Sequence, residues 1–197
     1  YGYIRRSLFN RLAFFNASVK YEKMEELKQI LARIFREYRR QSGYSQWKLS
    51  ILAEIHPRSI QKIEGGELQP GVMLAVRLVS AMGSNVGFFF ADLAKEANLM
   101  RHEIMPRLWQ EVDEEEAWKE CKCLFGPFFR QIRIANRITQ QAISDATGYT
   151  LRNILNTEKG RQEPAVMTAL SMVAVTGVDI SIFFNRLAYI QNKLENK

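Results

Sequence analysis

Between Met24 and Gln41 the apolar residues Leu27, Ile30, Leu31, Ile34, Phe35 and Tyr38 recur at spacings of three and four, which predicts an amphipathic helix. Ser42-Gly43 ends it, and Ser45 stands where a short hydroxyl can accept from the free amides of the next helix start. The same spacing predicts further helices over about 45–53, 56–64, 71–82 and 86–98. Ahead of them, Ile4, Leu8, Leu12 and Phe15 share a face within a basic, acid-free stretch, so a short amphipathic helix is expected there, packed on the first domain or on a partner subunit, with a basic arm along a nucleic-acid backbone or attachment to a membrane surface as the alternatives. A second five-helix series starts near Pro127, its first helix running to about Asn136 and its last ending near Lys197. No hairpin dipeptide lies between alternating runs, so no strand is predicted.

The second series repeats the first. SQWKLSILAEIHPRSIQKIEGGELQP, Ser45 to Pro70, aligns with TQQAISDATGYTLRNILNTEKGRQEP, Thr139 to Pro164, about 94 residues later. Gln46 matches Gln140, Arg58 matches Arg152, Ile60 matches Ile154, Glu64 matches Glu158, Gly66 matches Gly160 and Pro70 matches Pro164. The register holds downstream through Val72-Met73 with Val166-Met167, Gly83 with Gly177 and Phe89-Phe90 with Phe183-Phe184. Upstream it holds through Phe35-Arg36 with Phe129-Arg130 and Arg39 with Arg133. One register kept over that distance marks a duplicated domain.

Charge follows the same division. Lys and Arg outnumber Asp and Glu 15 to 9 over residues 1–99 and 9 to 5 over 126–197, whereas acids outnumber bases 7 to 4 over 100–125. Two basic modules flanking an acidic connector suit a polyanionic partner such as nucleic acid. Cys121 and Cys123, one residue apart, are poorly placed to staple a fold, and His56 and His102 lie too far away to complete a zinc site, so no metal, no cofactor and a reducing cytoplasmic location are expected. No apolar stretch approaches the ~20 residues of a membrane span. No nucleophile elbow, phosphate loop or metal-ligand cluster is present, which argues against an enzyme.

Reading base edges requires a rigid platform that inserts one helix into the major groove. Leu49 and Ala53 point the first helix of the motif inward, and Ile60 and Ile63 hold the second against it. Ile143, Thr147 and Ile154 serve the second copy, with Gly148 at the turn. Both halves resemble the Cro and phage-repressor type of helix-turn-helix domain, the XRE family. The resemblance rests on Ser or Thr before Gln, the turn, and then I-x-x-I/T-E-x-G-x-x-x-P, and covers roughly residues 30–95 and 126–190. It implies an all-α fold of two lambda-repressor-like five-helix DNA-binding domains in tandem, joined by a partly helical acidic connector. The boundaries expected are 1–23 for the basic amphipathic segment, 24–99 and 126–197 for the two domains, and 100–125 for the connector.

Carried over residue by residue, the resemblance makes Gln46 and Gln140 phosphate contacts at the start of each positioning helix, joined by Lys159 and Arg161 after the second recognition helix. His56, Arg58, Ser59 and Lys62 fall on the exposed face of the first recognition helix, about 56–64. Thr150, Arg152, Asn153 and Asn156 do so on the second, about 150–158. Arg suits guanine and Asn suits adenine in two-pronged contacts. Arg39 with Glu64 and Arg133 with Glu158 align with a pair that forms a structural salt bridge in relatives. Phe89, Phe90, Phe183 and Phe184 are expected in the core or at an interface. The first copy departs from the pattern: Glu54 replaces the turn glycine, Pro57 sits early in the recognition helix, and Glu67 stands where the second copy has Arg161. The function implied is a sequence-specific double-stranded DNA-binding transcriptional regulator, acting as one chain or as a homodimer. The alternative is an antitoxin or assembly module that holds a protein partner, with one copy no longer reading DNA.

Overall fold

A computed structural model describes residues 17–99 and 123–195, and these form ten helices and no strand. The first five are α1 (Ala17–Gln41), α2 (Gln46–Leu52), α3 (Pro57–Glu64), α4 (Val72–Ala81) and α5 (Val86–Glu96). The second five are α6 (Phe125–Ala135), α7 (Gln140–Thr147), α8 (Leu151–Glu158), α9 (Val166–Thr176) and α10 (Ile180–Glu195). Two expected boundaries shift. The first described helix already includes Ala17, so the division at 23/24 falls inside α1. Cys123, Leu124 and Phe125, expected in the connector, are buried; Phe125 stacks on Phe129 at 5.7 Å, and apolar packing begins there. The amphipathic helix expected before Ala17 and residues 100–122 of the acidic connector lie outside the described residues.

The duplication is visible in the backbone. α3 and α8 begin and end at positions 94 apart, and α1 and α6 end in the same register. Left-handed residues recur in pairs: Gly66 with Gly160 and Gly83 with Gly177 keep glycine, whereas Gly43 pairs with Arg137 and Glu54 with Gly148. At the last two positions the chain holds its turn with a side chain that disfavours it. Hydroxyl or amide caps start several helices: Ser45 Oγ accepts from Lys48 N (3.1 Å), Asn85 Oδ1 from Phe88 N (2.9 Å) and Thr139 Oγ1 from Ala142 N (3.0 Å).

The two halves share one hydrophobic core. A chain of ring contacts crosses it: Phe35 and Tyr38 meet Phe89 edge-on at 6.5 and 5.2 Å, and Phe89 meets Phe90 at 5.3 Å. Phe90 stacks on Phe184 at 3.7 Å, Phe184 meets Phe183, and Phe183 meets Phe128 at 4.8 Å. Rings that touch edge-on or stacked add to the area they bury. α5 packs along α10, where Gly87 admits the close approach, since a Cβ there would overlap the Ser181 carbonyl oxygen. Burial, and then the Asp92 carboxylate that accepts from its hydroxyl at 2.6 Å, hold the Tyr38 phenol above its usual range.

The halves differ in tightness. At the position of Ala32 in α1 the second copy has Gly126, where a Cβ would fall on the Thr157 carbonyl oxygen, so α6 lies closer to α8 than any side chain permits. Gly126→Ala is therefore expected to cost at least about 2 kcal/mol in urea unfolding, because backbone rather than a flexible side chain must move. Conversely, Glu54→Gly should stabilise by about 0.5–1 kcal/mol, raising Tm by about 2–3 °C, and Gly148→Ala should destabilise by a similar amount.

Candidate nucleic-acid interface

In each half a short helix, a tight turn and a second short helix are fixed by the same three side chains. Arg39, at the end of α1, donates Nε and Nη2 to the two carboxylate oxygens of Glu64, the latter at 3.0 Å, while Nη1 reaches Tyr44 O at 2.6 Å. Arg133 does the same to Glu158 at 2.5 and 2.9 Å, with Nη1 on Ile138 O at 2.7 Å. Gln46 Nε2 and Gln140 Nε2 then donate to Glu64 Oε2 and Glu158 Oε2 at 2.7 and 2.8 Å. Both Glu residues are only 3% exposed, so each carboxylate trades water for charge-assisted bonds from other elements. Each glutamine expected on phosphate thus commits one N–H of its side-chain amide to the platform and retains a second donor. Arg36, not singled out in the sequence, adds a further tie in the first half by donating Nη2 to Glu64 O at 2.5 Å. Arg36 and its counterpart Arg130 are both exposed.

On this platform Leu49, Ala53, Ile60 and Ile63 are buried in the first copy and Ile143 and Ile154 in the second. Thr147 is half-buried and bonds Ile143 O through its hydroxyl at 2.7 Å, while Ala146 takes the inward position. Inward anchoring leaves the outer faces of α3 and α8 to solvent. Arg58 and Lys62 are exposed there in the first copy, with Ser59 half-buried. Arg152 is exposed in the second, with Asn153 and Asn156 half-buried, and Lys159 and Arg161 are exposed beyond the helix end. Two of the candidate base readers also cap their helices. His56 Nδ1 caps α3 by accepting from Arg58 N at 3.1 Å, and Thr150 Oγ1 caps α8 by accepting from Asn153 N at 3.2 Å. His56 keeps Nε2, and Thr150 its hydroxyl proton, for a ligand.

Residues outside the sequence expectation also line these faces. Leu151 and Leu155 are 44% and 40% exposed on α8, out of phase with its buried side. Their signal was present as apolar positions off the inward stripe, and apolar tips on such a helix fit thymine methyl groups. In the first copy the corresponding positions are Pro57, at the first residue of α3, and Gln61. Trp47, Ile51 and Leu52 leave an exposed apolar strip on α2, whereas α7 carries Gln141, Asp145 and Ala146, with Gln141 Nε2 donating to Asp145 Oδ1 at 2.7 Å. The first face also carries the exposed acids Glu54 and Glu67.

Among the described residues no group of three metal-ligating side chains converges, and no helix is long and apolar enough to cross a membrane. Comparison with protein-family models, with curated proteins and with solved structures finds no match to this chain.

The arrangement predicts a specific double-mutant result. Glu158→Leu alone strands the Arg133 guanidinium in a nearly dry site and should cost about 3–5 kcal/mol, whereas Arg133→Met with Glu158→Leu should recover more than half of that loss. Urea unfolding of these two variants, compared with the parent, measures both effects.

Proposed function

We propose that the chain is a sequence-specific double-stranded DNA-binding transcriptional regulator of the cytoplasm, built from two lambda-repressor-like units. One observation carries this reading: each half holds a helix-turn-helix on a buried Arg–Glu–Gln network and turns outward a second helix rich in side chains that recognise base edges. Arg58 and Lys62 on α3 suit guanine, and Arg152 with Asn153 and Asn156 on α8 suits guanine and adenine. Lys159 and Arg161 extend the second face with phosphate-binding charge, and Leu151 and Leu155 add apolar contact. Gln46 and Gln140 hold the platform through one N–H each, and the second donor of each amide suits a backbone phosphate.

A second reading, an antitoxin or assembly module that holds a protein, is favoured for the first half by the exposed strip of Trp47, Ile51 and Leu52. Exposed aromatic and aliphatic side chains grouped on one helix suit a protein surface better than a phosphate backbone.

Selection of binding sites from random duplexes, at one fixed salt concentration, distinguishes these readings when the parent is compared with Arg58→Ala and Arg152→Ala. The expected outcome is an enriched motif that loses part of its information in each variant. Loss confined to Arg152→Ala would assign base reading to the second half and leave the first to a protein partner. Binding without any enrichment would overturn the regulator reading.

A further inference from the structure

The contact between the halves has the form of a symmetric dimer interface folded into one chain. Val72 N donates to Pro164 O at 3.0 Å and Val166 N donates to Pro70 O at 3.1 Å, a pair of bonds that exchange when each residue is replaced by its equivalent in the other copy. The bridge they form joins Gly71 to Ala165, themselves equivalent. Phe90 stacks on its own counterpart Phe184, with ring planes 5° apart. Contacts of this kind, in which a residue meets its own equivalent, arise at a two-fold axis. The axis therefore passes between residues 71 and 165 and between the two rings.

The self-complementary patch that would recruit a second copy is thus already consumed inside the chain. Points related by a two-fold axis lie at the same height along it, so α3 and α8 are level with one another. Each recognition helix also ends seven residues before the bridge, a stretch that spans at most ~24 Å of extended chain. With the ~5 Å across the bridge included, the ends of α3 and α8 accordingly lie within ~55 Å of each other, a reach that includes the roughly 34–36 Å between successive major-groove faces.

Symmetry is broken by bonds made on one side alone. Glu163 Oε1 accepts from Met73 N at 2.8 Å, whereas Gln69 at the equivalent position buries an Nε2 without a hydrogen-bond partner among the described residues. Asn185 Oδ1 accepts from Gly87 N at 2.7 Å, and Ala91 stands in its place in the first copy. These contacts lock one copy against the other in a fixed pose, supplemented by the shared core.

We infer that one chain occupies one bipartite DNA site, made of two unlike half-sites at a single permitted spacing, and that it does so as a monomer. The inference rests on the DNA-binding reading. The half-site under α3 is guanine-centred, from Arg58 and Lys62. The half-site under α8 combines guanine with adenine and thymine, from Arg152, Asn153, Asn156 and the two leucines.

The test uses the full chain and the duplex enriched by selection, together with versions in which about 5 or about 10 base pairs, a half turn or a full turn, are inserted at the centre. Mass photometry or sedimentation gives the number of chains per duplex, and titration at fixed salt gives affinity. One chain per duplex and at least about a tenfold loss of affinity on either insertion is the expected result, since a rigid pair of heads cannot follow a displaced half-site. Two chains per duplex, or affinity unchanged by both insertions, would overturn the inference while leaving sequence-specific binding intact. Failure of the selection itself to enrich any duplex would instead remove the reading on which the inference stands.

Discussion

A five-helix unit of this size has little interior of its own, and the stacking of Phe90 on Phe184 converts two small cores into one. Small domains bury a low fraction of their surface and are correspondingly marginal, so joining the interiors changes the energetics of each half. The aromatic chain from Phe35 through Phe89, Phe90, Phe184 and Phe183 to Phe128 links the long first helix of one repeat to the first helix of the other. Both helix-turn-helix platforms are hung from it. The buried Glu64 and Glu158 are tolerated because α1 and α6, which carry their arginines, are themselves held by this core.

Much of the architecture can be read from local pattern. Three-and-four spacing finds α1, and the matched strings ending at Pro70 and Pro164 locate α3 and α8 in identical register. Ser45 and Thr139 reveal their capping role because a short hydroxyl before a helix has few other uses. His56 does not, since imidazole is an uncommon cap, and a residue that can bind a base gives no outward sign that its Nδ1 is already engaged. The hold of Gln46 and Gln140 on the platform is hidden for a related reason: their partner is a carboxylate 18 residues away, and periodicity carries no information about that distance.

The reciprocal bridge between residues 71 and 165 was equally hidden. Gly71 and Ala165 look like ordinary linker residues, and only the chain path brings their neighbours' amides and carbonyls together. Backbone demands, by contrast, persist after the residue best suited to them has gone. Glu54 keeps the left-handed turn that Gly148 adopts freely, and Arg137 keeps the one that Gly43 adopts. Tertiary packing on either side of these turns outweighs the local cost of one strained residue.

The one-sided bonds from Glu163 and Asn185 carry a further meaning for how such a molecule changes over time. In an assembly of identical subunits every substitution is made twice, and a gain on one side is coupled to whatever it does on the other. Covalent fusion removes that coupling: Glu67 and Arg161 can carry opposite signs at equivalent positions, and α2 can turn apolar while α7 stays polar. The two halves are free to diverge in what they bind while continuing to share the single interior that keeps both folded.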